Sequence, residues 1–147
     1  MMTQSSFYVY VFMVLTLTGY FILFKEISSH DWWGKLNSRI ERRDHVNLKL
    51  FEVFKIYKLT DLQVVGNFIM LLPMGIYLPL LYKKLRSFFP VLFACFGVSL
   101  LIEFLQLATR YRSADVDDLL LNTAGAIVGF AIYKLVMVST NSSKSKI

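Results

Sequence analysis

Ser99-Leu100-Leu101-Ile102-Glu103-Phe104-Leu105-Gln106 leads through Arg110-Tyr111-Arg112-Ser113-Ala114-Asp115-Val116-Asp117-Asp118 to Asn122-Thr123-Ala124-Gly125 and Gly129. A carboxylate, Glu103, and a carboxamide, Gln106, stand inside a run apolar enough to cross a bilayer, and a charged hinge turns the chain into a second apolar run. Two such runs joined by a short hinge read as antiparallel membrane helices. An ionisable group in hydrocarbon costs from a few to more than about ten kcal/mol, so it persists there only with a partner or a task. The stretch therefore sets the fold class and marks where function should be sought.

Outward from it, four apolar blocks organise the chain. Ser87 to Ala108 is charged only at Glu103, and Leu119 to Val138 only at Lys134, near its end, where a long side chain snorkels. Leu62 to Tyr82 is uncharged and carries Pro73 and Pro79; Pro73-Met74-Gly75 predicts a mid-span kink. Phe7 to Phe24 is also uncharged and, as a helix, ~27 Å long, close to the hydrocarbon thickness. No Lys or Arg precedes it and no small-residue cleavage site follows, which favours an uncleaved span over a signal peptide. The expectation is an all-α membrane protein, a single domain holding a bundle of four transmembrane helices at about residues 7–24, 62–82, 87–108 and 119–138.

Residues 25–61 are too many for a tight hairpin. Trp32-Trp33 reads as an interfacial aromatic pair. Leu50, Phe51, Val53, Phe54 and Tyr57 recur at helical spacing opposite Lys49, Glu52, Lys55 and Lys58, which predicts an interfacial amphipathic helix or a helix packed on the bundle rim. The Ser/Asn/Lys-rich stretch 139–147 reads as a flexible tail.

Composition agrees. The 147 residues are 56% hydrophobic and only 18% charged, against about 25% charged in soluble domains. The net charge of +6 flanks the apolar blocks, as at lipid headgroups, and forms no basic stripe suited to nucleic acid. The single cysteine, Cys95, rules out an intrachain disulfide and a multi-cysteine zinc site and reads as a packing residue. Basic residues lie on both sides of the expected bundle, so charge leaves its orientation open. The oligomeric state is open too.

The polar positions converge. Ser99, Glu103, Gln106 and Arg110 form one helical stripe; Asp118, Asn122, Gly125 and Gly129 repeat its offsets on the next helix. The hinge sets both stripes at one end of the bundle, and Gly66-Asn67 enters from the same side. Connectivity thus gathers Asn67, Glu103, Gln106, Arg110, Arg112, Asp115, Asp117, Asp118 and Asn122 into one water-accessible pocket in one leaflet. Gly66, Pro73, Gly75, Gly125 and Gly129 read as helix-packing positions. Asn67 and Asn122 also suit interhelical hydrogen bonding, and the aspartates suit a helix start. Carboxylates bind a divalent cation through oxygen, with Glu103, Asp115 and Asp118 the candidates, and arginine grips phosphate. A polar lipid headgroup, with or without a metal, fits the set. No catalytic residue stands out: His30 and His45 lie in the long connection, which gives serine-type acyl transfer no support.

Gly66-Asn67 with Pro73-x-Gly75, Glu103-x-x-Gln106, and Arg112-x-x-Asp115-x-x-Asp118-x-x-x-Asn122-x-x-Gly125 resemble the VanZ-like family of small bacterial membrane proteins over about residues 46–133. Asn47-Leu48-Lys49-Leu50-Phe51 is similar to that family's Asn-Leu-x-Pro-Phe segment, with Leu50 where proline is usual. The resemblance implies a link to low-level resistance to teicoplanin and related lipoglycopeptides. It implies membrane lipids, lipid-linked cell-wall precursor or the lipoglycopeptide as partners, an outward-facing cluster, and both termini in the cytoplasm. It supplies a process rather than a reaction. Three readings stand: a protein that binds or remodels a cell-envelope lipid; an intramembrane, metal-assisted enzyme acting on a lipid phosphate, with Glu103 as general acid or base; and a structural subunit docked through the Gly125/Gly129 face. Four spans without an evident internal repeat make a poor transporter.

Overall fold

The computed structural model describes residues 2–18, 33–34, 37–38, 41, 46–56, 58–107 and 114–144. Helix α1 covers Met2–Leu17, strand β1 Val46–Asn47 and helix α2 Val53–Ile56. Helices α3 (Leu62–Met70) and α4 (Leu72–Leu81) together form one span. A 3-10 turn at Lys83–Leu85 leads to α5 (Phe88–Leu107), then to β2 (Ala114–Asp115) and α6 (Val116–Lys144). The spans Leu62–Leu81, Phe88–Leu107 and Val116–Thr140 are long and apolar enough to cross a membrane. At 1.5 Å per residue the first two reach about 30 Å, the thickness of the hydrocarbon core, and the third about 38 Å. The fold is that of an all-α membrane protein. The end of the first expected span, residues 19–24, lies outside the described residues.

The break between α3 and α4 falls at Leu71, two residues before Pro73. Proline has no N–H to return to the carbonyl four residues back, and its ring crowds that turn. Restarting at Leu72 leaves Pro73 in a first turn, where the missing donor does no harm. In a membrane the groups freed at such a break need another partner. Beside the break, Tyr10 of α1 donates its hydroxyl to the Met70 carbonyl at 2.7 Å. Its ring packs with Phe7 and Tyr77, with centroids 5.7–6.3 Å apart, and so fastens α1 to α4.

The α3–α4 span and α6 meet through glycine. A Cβ at Gly125 would overlap the Phe68 carbonyl, one at Gly129 the Leu72 carbonyl, and one at Gly75 the Ala126 carbonyl. Backbone contact of this kind lets membrane helices pack where the hydrophobic effect does little between them. The Gly125/Gly129 face is therefore occupied from within the chain, which overturns its reading as a dock for a larger complex. Gly66 does not belong to the seam: it is exposed, and a Cβ there meets nothing within 4 Å. Around the seam Leu71, Met74, Leu78, Val91, Cys95, Ile102, Ala126, Phe130 and Tyr133 form the apolar core. Cys95 is a buried packing residue, as expected.

Two local expectations change in extent. The amphipathic helix near residues 50–57 is one turn, Val53–Ile56, because Leu50 and Phe51 form a tight turn with Phe51 at φ +64°. Leu48, Leu50, Phe51 and Ile56 remain exposed while Val53 is buried, so the segment keeps an apolar outer face. Tyr57 and Trp32 lie outside the described residues; Trp33 is exposed. The expected flexible tail instead continues α6 to Lys144, since Ser139–Lys144 holds neither proline nor glycine and Thr140 bonds back to the Val136 and Met137 carbonyls. Lys134 is exposed, its ammonium 5.4 Å from the Phe130 ring centroid.

The seam makes a prediction. Gly125→Ala and Gly129→Ala should each destabilise the protein by about 1–3 kcal/mol through overpacking, and Gly66→Ala should be neutral or slightly stabilising. Unfolding in mild detergent, followed by circular dichroism, reads the difference.

Candidate functional site

The end of α5 and the starts of α3 and α6 lie at one end of the bundle. There the chain buries Asn67, Glu103, Gln106, Asp117, Asp118 and Asn122. The antiparallel step from α5 to α6 places them in layers. Ser99 reaches the Leu119 carbonyl at 3.4 Å, and one turn nearer the helix end Glu103 accepts the Asp115 N–H at 3.0 Å.

The outer layer is a clamp. β1 and β2 pair in parallel, Val46 with Ala114 and Asn47 with Asp115. The Asp115 carboxylate accepts the Asp117 N–H at 2.9 Å through one oxygen, capping the start of α6, and the Asn47 carboxamide at 3.0 Å through the other. Asn47 in turn accepts the Lys49 N–H at 3.1 Å. Asp117 takes the N–H of Phe51 at 2.7 Å on one oxygen and that of Val53 at 2.9 Å on the other. Residues 46–56 thus form a strap bound across the beginning of α6. Hydrogen bonds to an ionised acceptor are about twice as strong as neutral ones, which is how a carboxylate 2% exposed is stabilised here.

Beneath the strap, Gln63 donates to Asp118 across 3.5 Å. Asn122 lies deeper and is 0% exposed; Asn67 is 9% exposed. Among the described residues, neither the Nδ2 nor the Oδ1 of Asn122 has a hydrogen-bond partner, and nor does the Nδ2 of Asn67. Such groups are uncommon in native interiors, and each carries a desolvation cost of about 1–3 kcal/mol.

Several expectations are thereby corrected. The described members of the expected pocket are buried or half-buried, and the strap is bound to Asp115 and Asp117 at the start of α6. Asp117 faces the strap backbone, and Asp115 is engaged by Asn47 and its own helix start. The proposed metal trio Glu103, Asp115 and Asp118 does not assemble. Among the described residues no group of three or more His, Cys, Asp or Glu is placed to hold a metal ion, since these oxygens turn toward backbone amides and carboxamides. Arg110, Arg112, His30 and His45 lie outside the described residues. Gln63 joins the site without having been singled out, and Asn47, quoted above only in the segment similar to Asn-Leu-x-Pro-Phe, joins it too. Gln63 lies one turn before Asn67 on the same helical face, and that spacing was the available signal.

This architecture defines a class: a small integral membrane bundle with a buried, strap-covered polar cluster at one end. The sequence matches the family model of VanZ/LLP1 over residues 7–137, and the chain belongs to that family. No curated protein and no solved structure matches it.

Asp117→Asn should loosen the strap by turning one of the two acceptors into a donor that faces an N–H. Limited trypsin digestion should then cut faster after Lys49 and Lys55, with cleavage after Lys83 and Lys84 unchanged. Unchanged cleavage would mean that Asp117 does not hold the strap.

Proposed function

We propose that this chain is a bacterial membrane protein that holds the headgroup of a cell-envelope lipid at the strap-covered cluster. By binding or remodelling that lipid it lowers sensitivity to teicoplanin-type lipoglycopeptides. One observation carries the reading: Asn122 is fully buried near the end of a membrane helix with both ends of its carboxamide unpartnered among the described residues. Membership of VanZ/LLP1 points to the cell envelope. A protein with only a structural need at this position is better served by an apolar side chain, as buried polar groups without partners weaken a fold.

The site faces outward in this reading, and both termini lie in the cytoplasm. Wild type, Glu103→Gln and Asp118→Asn, expressed at matched levels in a susceptible Gram-positive host, provide the test. Wild type should raise the teicoplanin concentration needed to stop growth, and each variant should lose most of that protection. Equal protection by all three would remove the cluster from the function.

A further inference from the structure

Three contacts set the α3–α4 span against α6. Gln63 meets Asp118, Phe68 meets Gly125 and Leu72 meets Gly129. Asn67 falls between the first two positions on α3, and Asn122 between their partners on α6. The two buried carboxamides therefore lie within about 3 Å of each other in height, between two parallel helices. By helical rise they are about 8–9 Å inside the ends of both helices. They lie deeper than Glu103, which is level with Asp115.

The chemistry changes with depth. The outer layer consists of carboxylates engaged by backbone amides and side-chain carboxamides. The inner layer is neutral. A carboxamide offers a donor and an acceptor at once, so a complete partner must both accept and donate. Charged groups are poorly suited to such a depth, where desolvation is severe and neither asparagine supplies a counter-charge. An ester carbonyl or ether oxygen satisfies Nδ2 and leaves Oδ1 without a donor.

We propose that Asn67 and Asn122 form an inner subsite for a neutral group that both donates and accepts hydrogen bonds, a hydroxyl or a secondary amide of a lipid-linked sugar. This inference rests on the lipid-headgroup reading above and names the part of the headgroup that reaches deepest. Asn122 is the main contact, through both Nδ2 and Oδ1, and Asn67 adds a donor.

The test is native mass spectrometry of the purified protein in mild detergent with three neutral lipids that share the same acyl chains. Glucosyl-diacylglycerol offers hydroxyls, N-acetylglucosaminyl-diacylglycerol adds a secondary amide, and O-methylated glucosyl-diacylglycerol accepts without donating. Wild type should retain one or both of the first two at least about tenfold better than the methylated lipid, as expected when hydrogen bonds at a buried polar group are lost. Preference for the acetylated lipid assigns the amide; equal retention of the two assigns the hydroxyls.

Asn122→Leu and Asn67→Leu should abolish the preference while unfolding at the same or higher temperature than wild type. That combination separates a ligand contact from a structural one. Variants that keep the preference, or a wild type that holds the methylated lipid equally well, would overturn the subsite and leave lipid binding standing. Retention of none of the three lipids would count against both.

Discussion

Everything at the polar end of this bundle depends on how closely the α3–α4 span and α6 approach. Gly75, Gly125 and Gly129 bring the α3–α4 span and α6 into backbone contact, with the Phe68, Leu72 and Ala126 carbonyls occupying the space of absent side chains. Such contacts replace the hydrophobic drive that lipid removes. They also set a register. With Phe68 against Gly125, Gln63 reaches Asp118, and Asn67 comes within about 3 Å of the height of Asn122. The proline break at Leu71 lies within this contact, next to the Met70 carbonyl that Tyr10 bonds.

Charge is managed by direction. The aspartates that open α6 turn outward to the strap, where backbone N–H groups and Asn47 meet them. Glu103 turns to the N–H of Asp115. Each pairing joins segments distant in sequence. The same carboxylates that are costly to bury therefore hold residues 46–56 over the site. Phe51, with φ +64°, lets the strap bring two nearby amides onto one carboxylate.

Much of this was legible in the residues. Uncharged blocks revealed the spans, and the short hinge forced Glu103 and Asp118 to one end. Glycine at i and i+4 in α6 announced close packing, although Gly66 carried no mark distinguishing it from the glycines that pack. Its neighbour is decided by which face of α3 meets α6. The strap was harder to read. Its contacts are made by backbone amides of Phe51 and Val53 to Asp117, and a sequence pattern reports side chains rather than backbone hydrogen bonds. The amphipathic spacing around residue 53 was real, but it arises from one buried valine under a turn and not from a full helix. Carboxylate clustering pointed toward a metal for a similar reason, since residue types do not reveal which way each oxygen faces.

The claim that the second and fourth spans run parallel with Gln63 level with Asp118 is open to direct measurement. Paired cysteines can be placed at Gln63→Cys and Asp118→Cys, and in a control at Gln63→Cys and Ser139→Cys, in a Cys95→Ala background. Treatment with a short bismaleimide should link the first pair within the chain and leave the second unlinked. A link in the control pair, or none in the first pair when both thiols are accessible to a monofunctional maleimide, would contradict the register on which the site is built.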